Sequence, residues 1–359
     1  MHMKKRPSSE MSAFEAISQA QRIAAGPMLF QTVCVLLKHG VLQHLEQAAD
    51  QGLTKAELGA KTQLSAYGLG VLLDMALSGG VIDHKDDTYT LSKIGYFILN
   101  DQMTRLNFEF TKNVCYQALD SLEQSIVAGR PVGLSVFNKE WQTIYPHLSE
   151  LPPEAKKSWF DWDHFYSDAA FGQAIEKLKG FNPDLIYDVG GNTGKFAIAC
   201  CKAMPNLRVT ILDLKEQIAL AKENIAAHGL SDRLDFVPVD ILKDSKLPSE
   251  ASFWWMSQFL DCFSVEQVEL ILSKIAAVMK PEARICILEP FCDNQRFEAA
   301  SYSLNAGSLY FTCVANGCSR FFNRRDFLGY LEHCSLTVEQ EFTPLGISHT
   351  LLICKKKAA

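Results

Sequence analysis

The chain has 359 residues, enough for about two domains of ordinary size. Hydrophobic residues make up 48% and charged residues 21%, which fits a globular protein and excludes disordered and fibrous classes. A formal net charge of −6 opposes binding to a phosphate backbone by the chain as a whole, so a small-molecule partner is expected and nucleic acid is not.

The first residues, MHMKKRPSSEMSAFEAISQ, are basic at the start but carry no apolar run behind it, so no secretory signal is expected. No stretch approaches the ~18 uninterrupted apolar residues of a membrane span, and no membrane association is expected. Eleven cysteines are scattered without a regular framework, the pattern of reduced thiols in a cytoplasmic protein. Cys200/Cys201 and Cys313/Cys318 lack paired C-x-x-C spacing, so no metal site is expected.

From QTVCVLLKHGVLQHLEQAA through GLTKAELGAKTQL and SAYGLGVLLDMALSGGVI, apolar residues recur at helical spacing. DHKDDTYTLSKIGYFIL then supplies a charged turn and a short alternating strand, completing a winged-helix pattern. Such a pattern often reads DNA, but the stretch Leu64 to Val81 has no Lys or Arg and cannot neutralise phosphates. Apolar residues on nearly every face of that helix fit a subunit interface instead, and a homodimer is expected.

Residues 101–180 read as a helical linker with loops at GRPVG and LPPEAKK. The segment is aromatic: Trp141, Tyr145, Trp159, Phe160, Trp162, Phe165 and Tyr166 surround His164. Any one of these rings can be core, but the group with a histidine among it suits a pocket wall.

Beyond residue 181 the rhythm changes. The short apolar runs LIYDVGG, RVTILDL, LDFVPVDIL, ASFWWMSQFL and RICILEPF alternate with the helices KFAIACCKAM, KEQIALAKENIAAHG and VEQVELILSKIAAVMK. Alternation of this kind builds a parallel sheet covered on both faces, and LTVEQEFTPLGISHTLLICKK adds a final hairpin. The expected fold is therefore α/β: a Rossmann-like doubly wound, mostly parallel sheet with a C-terminal hairpin (181–359), preceded by a mainly helical winged-helix domain (1–100).

Asp188, Gly190, Gly191 and Gly194 close the first strand of this part and open a helix, where glycines let the backbone approach a ligand and free N–H groups face it. Asp213 ends the second strand 19 residues after Gly194, the distance at which an acid meets ribose hydroxyls. Asp240 ends the third strand in VPVD, where a carboxylate can accept from an adenine amino group. Each acid alone reads equally well as a strand-end cap. Three consecutive strands ending in Asp or Gly above one sheet edge favour a ligand.

The D-V-G-G-x-x-G loop with Asp213 and Asp240 resembles class I S-adenosylmethionine-dependent methyltransferases. With the winged-helix start, nearly the whole chain is similar to the plant-type small-molecule O-methyltransferases. That resemblance implies S-adenosylmethionine as methyl donor, a dimerisation role for the first domain, and a small, aromatic hydroxyl compound as acceptor. It places Gly190 by the methionine part, Asp213 on the ribose and Asp240 near the adenine; Leu214, Ile241, Ser257 and Tyr166 join Asp188, Gly191 and Gly194 in the implied cofactor set. The family loop has a third consecutive glycine where this chain has Asn192, a residue that tolerates the left-handed backbone.

Methyl transfer to a phenol near pKa 10 needs a base, and the family carries a histidine just after the fourth strand. Laid over that pattern, MSQFLDCFSVEQ puts Ser257 at a lysine, Asp261 at the histidine and Phe263 at a tryptophan. An ordinary Asp is about 2.6 pK units less basic than His, roughly 3.5 kcal/mol of proton affinity, and burial among apolar neighbours is what raises it. Ser264 and Gln267 already form a capping box, which leaves Asp261 free of that duty. His164 is the rival base. Glu289, ending RICILEP, resembles the family glutamate that orients the histidine. Losing the histidine matters less for N- or C-methylation, or for a non-methylating relative, and those alternatives stay open, as does a non-catalytic binding or regulatory role.

Overall fold

The structure, a computed structural model, describes residues 10–357; the basic start of the chain, residues 1–9, lies outside them. The chain divides between Asn113 and Val114 into two compact units. The stretch 101–180, expected as a separate linker, is thus shared between them, with 101–113 in the first unit and 114–180 in the second.

The first unit carries helices α1 (Ala13–Ala24), α2 (Gly26–Lys38), α3 (Val41–Ala48), α4 (Lys55–Lys61) and α5 (Ala66–Ser78), then strands β1 (Ile82–Lys85) and β2 (Thr88–Leu91), and helices α6 (Lys93–Asn100) and α7 (Gln102–Phe110). Ser12 and Thr54 open α1 and α4 with capping boxes to Glu15 and Glu57, satisfying donors that a helix start leaves free. The hairpin turn is Asp86-Asp87, both at positive φ, the two-residue loop whose twist matches antiparallel strands. Leu36, Leu42, Leu45, Leu58, Leu69, Leu73 and Ile82 form its core. On α5 this uses one face only: Tyr67 is 83% and Val71 51% exposed, while α1 buries no residue and exposes Phe14 and Ile23. Among the described residues no single helix is long and apolar enough to cross a membrane; α1 and α2 pass such a test only as a pair bent by 60°.

The second unit begins with α8 (Leu122–Ala128) and the long α9 (Pro153–Lys179). The loop expected over LPPEAKK ends at Pro152, because Pro153 takes the first helical position, where its fixed φ suits the helix and no N–H is missed. Next come β3 (Leu185–Val189), α10 (Lys195–Ala203), β4 (Arg208–Asp213), α11 (Lys215–Ala226), β5 (Leu234–Pro238), β6 (Phe253–Ser257), α12 (Val265–Val278) and β7 (Arg284–Glu289). Two helices absent from the sequence reading follow, α13 (Glu298–Tyr310), continued by a π-helical turn over Phe311–Ala315, and α14 (Arg324–His333). Strands β8 (Leu336–Leu345) and β9 (His349–Lys356) close the chain.

These strands form one seven-stranded sheet in the order β5-β4-β3-β6-β7-β9-β8, parallel through β7 and antiparallel at β9 and β8. Side-chain alternation splits each strand between two cores: Trp254 and Met256 of β6 pack with α12 and α14, Phe253 and Trp255 with α9, α10 and α11. Trp255 stacks on Phe196 at 3.9 Å between centroids, and Trp254 meets the edge of Tyr187. Chain order reverses between β3 and β6. Their carboxyl ends therefore part to leave the crevice in which open α/β sheets bind ligands.

Candidate active site

At that crevice lies a cavity of about 500 Å³, walled by the ends of β3 to β6, by α9, and by residues around Tyr145 and Tyr310. The loop after Val189 forms its floor. Gly190 has φ +71 and a Cβ there would overlap the Phe259 ring; a Cβ on Gly191 would come within 2.8 Å of Asp188 Oδ2. Asn192 takes φ +49, so the residue standing at the family's third glycine keeps the left-handed turn. Gly194, at φ +76, does not line the cavity but turns the chain into α10. A Gly190→Ala variant is expected to lose at least about tenfold in affinity for S-adenosylhomocysteine and about 2 kcal/mol of stability, from backbone strain and a displaced Phe259. Calorimetric titration and a melting curve check both.

Asp213 is tied into the loop, accepting from Asn192 N–H at 2.9 Å and Leu214 N–H at 2.7 Å. Burial pushes its carboxyl up to about 6 against the pull of those two donors. Asp188 lies deeper, and burial, with Asp213 nearby, pushes it up to about 8. Asp240 stands two residues beyond β5 rather than at its end. It accepts from Leu242 and Lys243 N–H at 3.2 Å each and pairs with Lys243 Nζ at 2.8 Å. Partial burial works against the charge, but Lys243 outweighs it and holds the carboxyl below its ordinary value. Buried polar atoms of Asp188 (Oδ2), Asn192 (Oδ1), Gln217 (Oε1) and Ser257 (Oγ) face this cavity wall without hydrogen-bond partners. Such atoms call for a polar partner, from a ligand or from water. Together with the glycine cradle they fit the amino-acid and nucleoside ends of S-adenosylmethionine.

Toward the acceptor side, Asp261 sits in a 3-10 turn (Leu260–Cys262) and is 2% exposed on the cavity wall. Burial pushes its carboxyl up to about 7, Asp163 adds to the shift, and Cys262, whose thiol donates at 3.5 Å, opposes it. The expected capping box is present at Ser264 and Gln267, so α12 does not use Asp261. His164 also lines the cavity, with Nε2 3.5 Å from Thr193 Oγ1; burial, then Lys195, lowers its pKa and keeps the ring neutral.

Besides Gly194, two expected site residues stand off the cavity wall. Glu289 lies behind it, accepting from the N–H groups of Phe259 and Leu260 at 3.1 and 3.0 Å, so it anchors the loop that carries Asp261 and does not line the cavity. Burial, with Asp261 beside it, holds its carboxyl well above the ordinary range. Tyr166, expected at the cofactor, faces Trp162 and Phe165 instead, because a residue two positions after His164 points from a different side of α9. The structure brings Gly190, Gly191, Asp188, Asp213, Leu214, Asp240, Ile241, Ser257, Asp261 and His164 together around one space.

Of the tryptophans, Trp159, Trp162 and Trp255 line the cavity while Trp254 is core. Sequence reasoning missed Asp163, Gln217, Phe259, Tyr310, Phe311 and Phe321, all on the wall. Asp163 stood next to a residue already singled out. Phe259 lies two residues before Asp261, in a stretch also singled out, and the others sit in stretches whose pattern gives no hint of a cavity.

A family model described as Dimerisation2-like domain matches residues 18–89, and one described as O-methyltransferase domain matches residues 167–328. The chain is 24% identical to the L-tyrosine C(3)-methyltransferase of Streptomyces lavendulae over 295 residues, 81% of this chain and 79% of that protein. It is 23% identical to the mitomycin biosynthesis 6-O-methyltransferase of the same organism over 342 residues, 94% of this chain and 93% of that one. Human acetylserotonin O-methyltransferase is 23% identical over 322 residues, 83% of this chain and 87% of that protein. Among solved structures, an S-adenosylmethionine-dependent methyltransferase in its apo form superposes with a TM-score of 0.73 at 22% identity, covering 95% of this chain and all of that one. The mitomycin 7-O-methyltransferase structure gives 0.72 at 21%, covering 95% and 98%.

Proposed function

We propose that this chain, an S-adenosylmethionine-dependent methyltransferase with the two-domain architecture of the plant-type small-molecule O-methyltransferases, methylates a hydroxyl of a small aromatic compound. What supports the reading is Asp261, a nearly fully buried carboxylate on an aromatic cavity wall whose proton affinity burial has moved to about neutrality. S-adenosylmethionine, when bound, supplies an electrophilic methyl group.

The chain's own residues do the rest. Asp213 takes the ribose hydroxyls with the lone pairs its two backbone donors leave free. Asp240, with Leu214 and Ile241 on the same wall, would hold the adenine, and Gly190, Gly191, Asp188 and Ser257 would receive the amino-acid part. Asp261 accepts the hydroxyl proton, for which a base near pKa 7 is matched to neutral pH. Glu289 fixes the loop from behind, so positioning supplies much of the acceleration. His164, neutral and in the same cavity, is the second candidate base.

The likeness to an L-tyrosine C(3)-methyltransferase supports one other reading, in which the deprotonated ring attacks through carbon. Turnover of a panel of phenols with methyl-deuterated S-adenosylmethionine, analysed by NMR of the products, separates the two. Oxygen-linked methyl is expected; carbon- or nitrogen-linked methyl contradicts the proposal.

The exposed apolar faces of α1 and α5, in the part that matches a Dimerisation2-like domain, support a homodimer through the first unit. Light scattering is expected to give twice the chain mass, and a Tyr67→Glu/Val71→Glu variant to give the monomer. The eleven free cysteines fit a reducing, cytoplasmic setting.

A further inference from the structure

Asp163 on α9 and Asp261 share the aromatic side of the cavity, and among the described residues neither forms an ion pair of its own. Asp261 is 2% exposed and meets only the weak Cys262 thiol donor at 3.5 Å. The Asp163 carboxylate accepts no hydrogen bond from a described residue, and burial, followed by the charge of Asp168, pushes it up to about 7 against the weaker pull of Lys195. The cations of the wall are already engaged: Lys195 pairs with Asp168 at 2.6 Å and Lys243 with Asp240 at 2.8 Å. Among the described residues no arginine lines the cavity, and His164 is kept neutral.

The wall around these carboxylates is aromatic, with Trp159, Trp162, Tyr310, Phe311 and Phe321. Trp159 lies four residues before Asp163 on the same helix, so the indole and the carboxylate share one face of α9. A buried carboxylate without a counter-charge is costly, and proteins compensate it with a cation or by protonation. Aromatic faces attract cations as well. An ammonium satisfies both features at once; a neutral group leaves the carboxylate unpaired, and an anion is repelled.

We propose that Asp163 binds a protonated amine of the acceptor, so that the substrate class is small aromatic hydroxyl compounds bearing a basic nitrogen. This rests on the methyl-acceptor reading of the cavity and deepens it. Asp261 stays with the hydroxyl, and Asp163 sets the choice of molecule.

The test is calorimetry on the full chain loaded with S-adenosylhomocysteine, using tyramine, tyrosol and 4-hydroxyphenylacetate, which share a phenol and differ in one terminal group. Tyramine is expected to bind about tenfold or more tighter than tyrosol, and 4-hydroxyphenylacetate weakest. In Asp163→Asn the tyramine preference is expected to vanish while affinity for tyrosol and for S-adenosylhomocysteine holds. Equal binding of tyramine and tyrosol, a preference for the carboxylate, or no binding by any of the three overturns the proposal. So does an equal loss of S-adenosylhomocysteine affinity in Asp163→Asn, which assigns the carboxylate to the cofactor's own ammonium. The preference is read from binding alone, so a product with carbon- or nitrogen-linked methyl defeats the O-methylation reading without deciding this one.

Discussion

Asp261→Asn is expected to lower kcat by about 100-fold or more, with little change in affinity for S-adenosylhomocysteine. Asparagine keeps the shape and the Cys262 contact but cannot take a proton. In the wild type, kcat/KM is expected to rise with pH and level off above about 7, as the carboxyl ionises. The variant is expected to lose that rise.

Stability moves in the opposite sense, which keeps the base apart from a purely structural role. A carboxyl whose folded pKa lies above its unfolded value near 3.8 binds more protons in the folded state between the two values. The wild type therefore loses stability as pH rises from about 4 through about 7, and carries the full penalty above that. Asp261→Asn removes the ionisable group, so its melting temperature is expected to exceed the wild type's at pH 8 and to match it near pH 4. His164→Gln is the control, and if it abolishes turnover while Asp261→Asn does not, the base is the histidine.

Asp213→Ala is expected to weaken S-adenosylhomocysteine binding by about 100-fold or more. It deletes the proposed ribose acceptor, whose hydrogen bonds are charge-assisted and worth about 1.5–3 kcal/mol each, and it also releases Asn192 from its left-handed turn. Because burial has moved Asp213 up to about 6, wild-type affinity is expected to fall as pH drops below that value, where the carboxyl is protonated and accepts less well. Titration calorimetry at pH 5 and pH 8 reads both effects. Unchanged affinity in the alanine variant removes Asp213 from the cofactor site.

The sheet and its cofactor edge were legible because their signals are local. A five-residue strand that is apolar but for Asp188 and is followed by glycines, and acids at or near the ends of three successive strands, depend on backbone geometry that short segments encode. Asn192 could be judged from its intrinsic tolerance of positive φ, and it takes that conformation. The acceptor wall was less legible. Tyr310 and Phe311 come from the end of α13 and a π-helical turn, in the stretch SLYFTCVANG, where apolar residues run together without a helical or alternating period. Glu289 read as a strand-end acid that faces the site, yet the close approach of the β6 loop gave it two backbone donors and turned it away from the cavity. Asp163 escaped notice because its weight comes from having no ion pair of its own among the described residues, Lys195 being paired with Asp168, and pairing across the fold cannot be read along a chain. Asp240 shows the limit of strand ends, since β5 stops at Pro238 and the acid caps the next turn.

The most direct measurement is a crystal structure with S-adenosylhomocysteine and a phenolic acceptor bound. The expected result places an Asp261 carboxylate oxygen about 3 Å from the acceptor hydroxyl, with that oxygen in line with the sulfur and the ribose on Asp213. A hydroxyl held by His164, or an Asp261 side chain turned toward Glu289 and away from the acceptor, contradicts it.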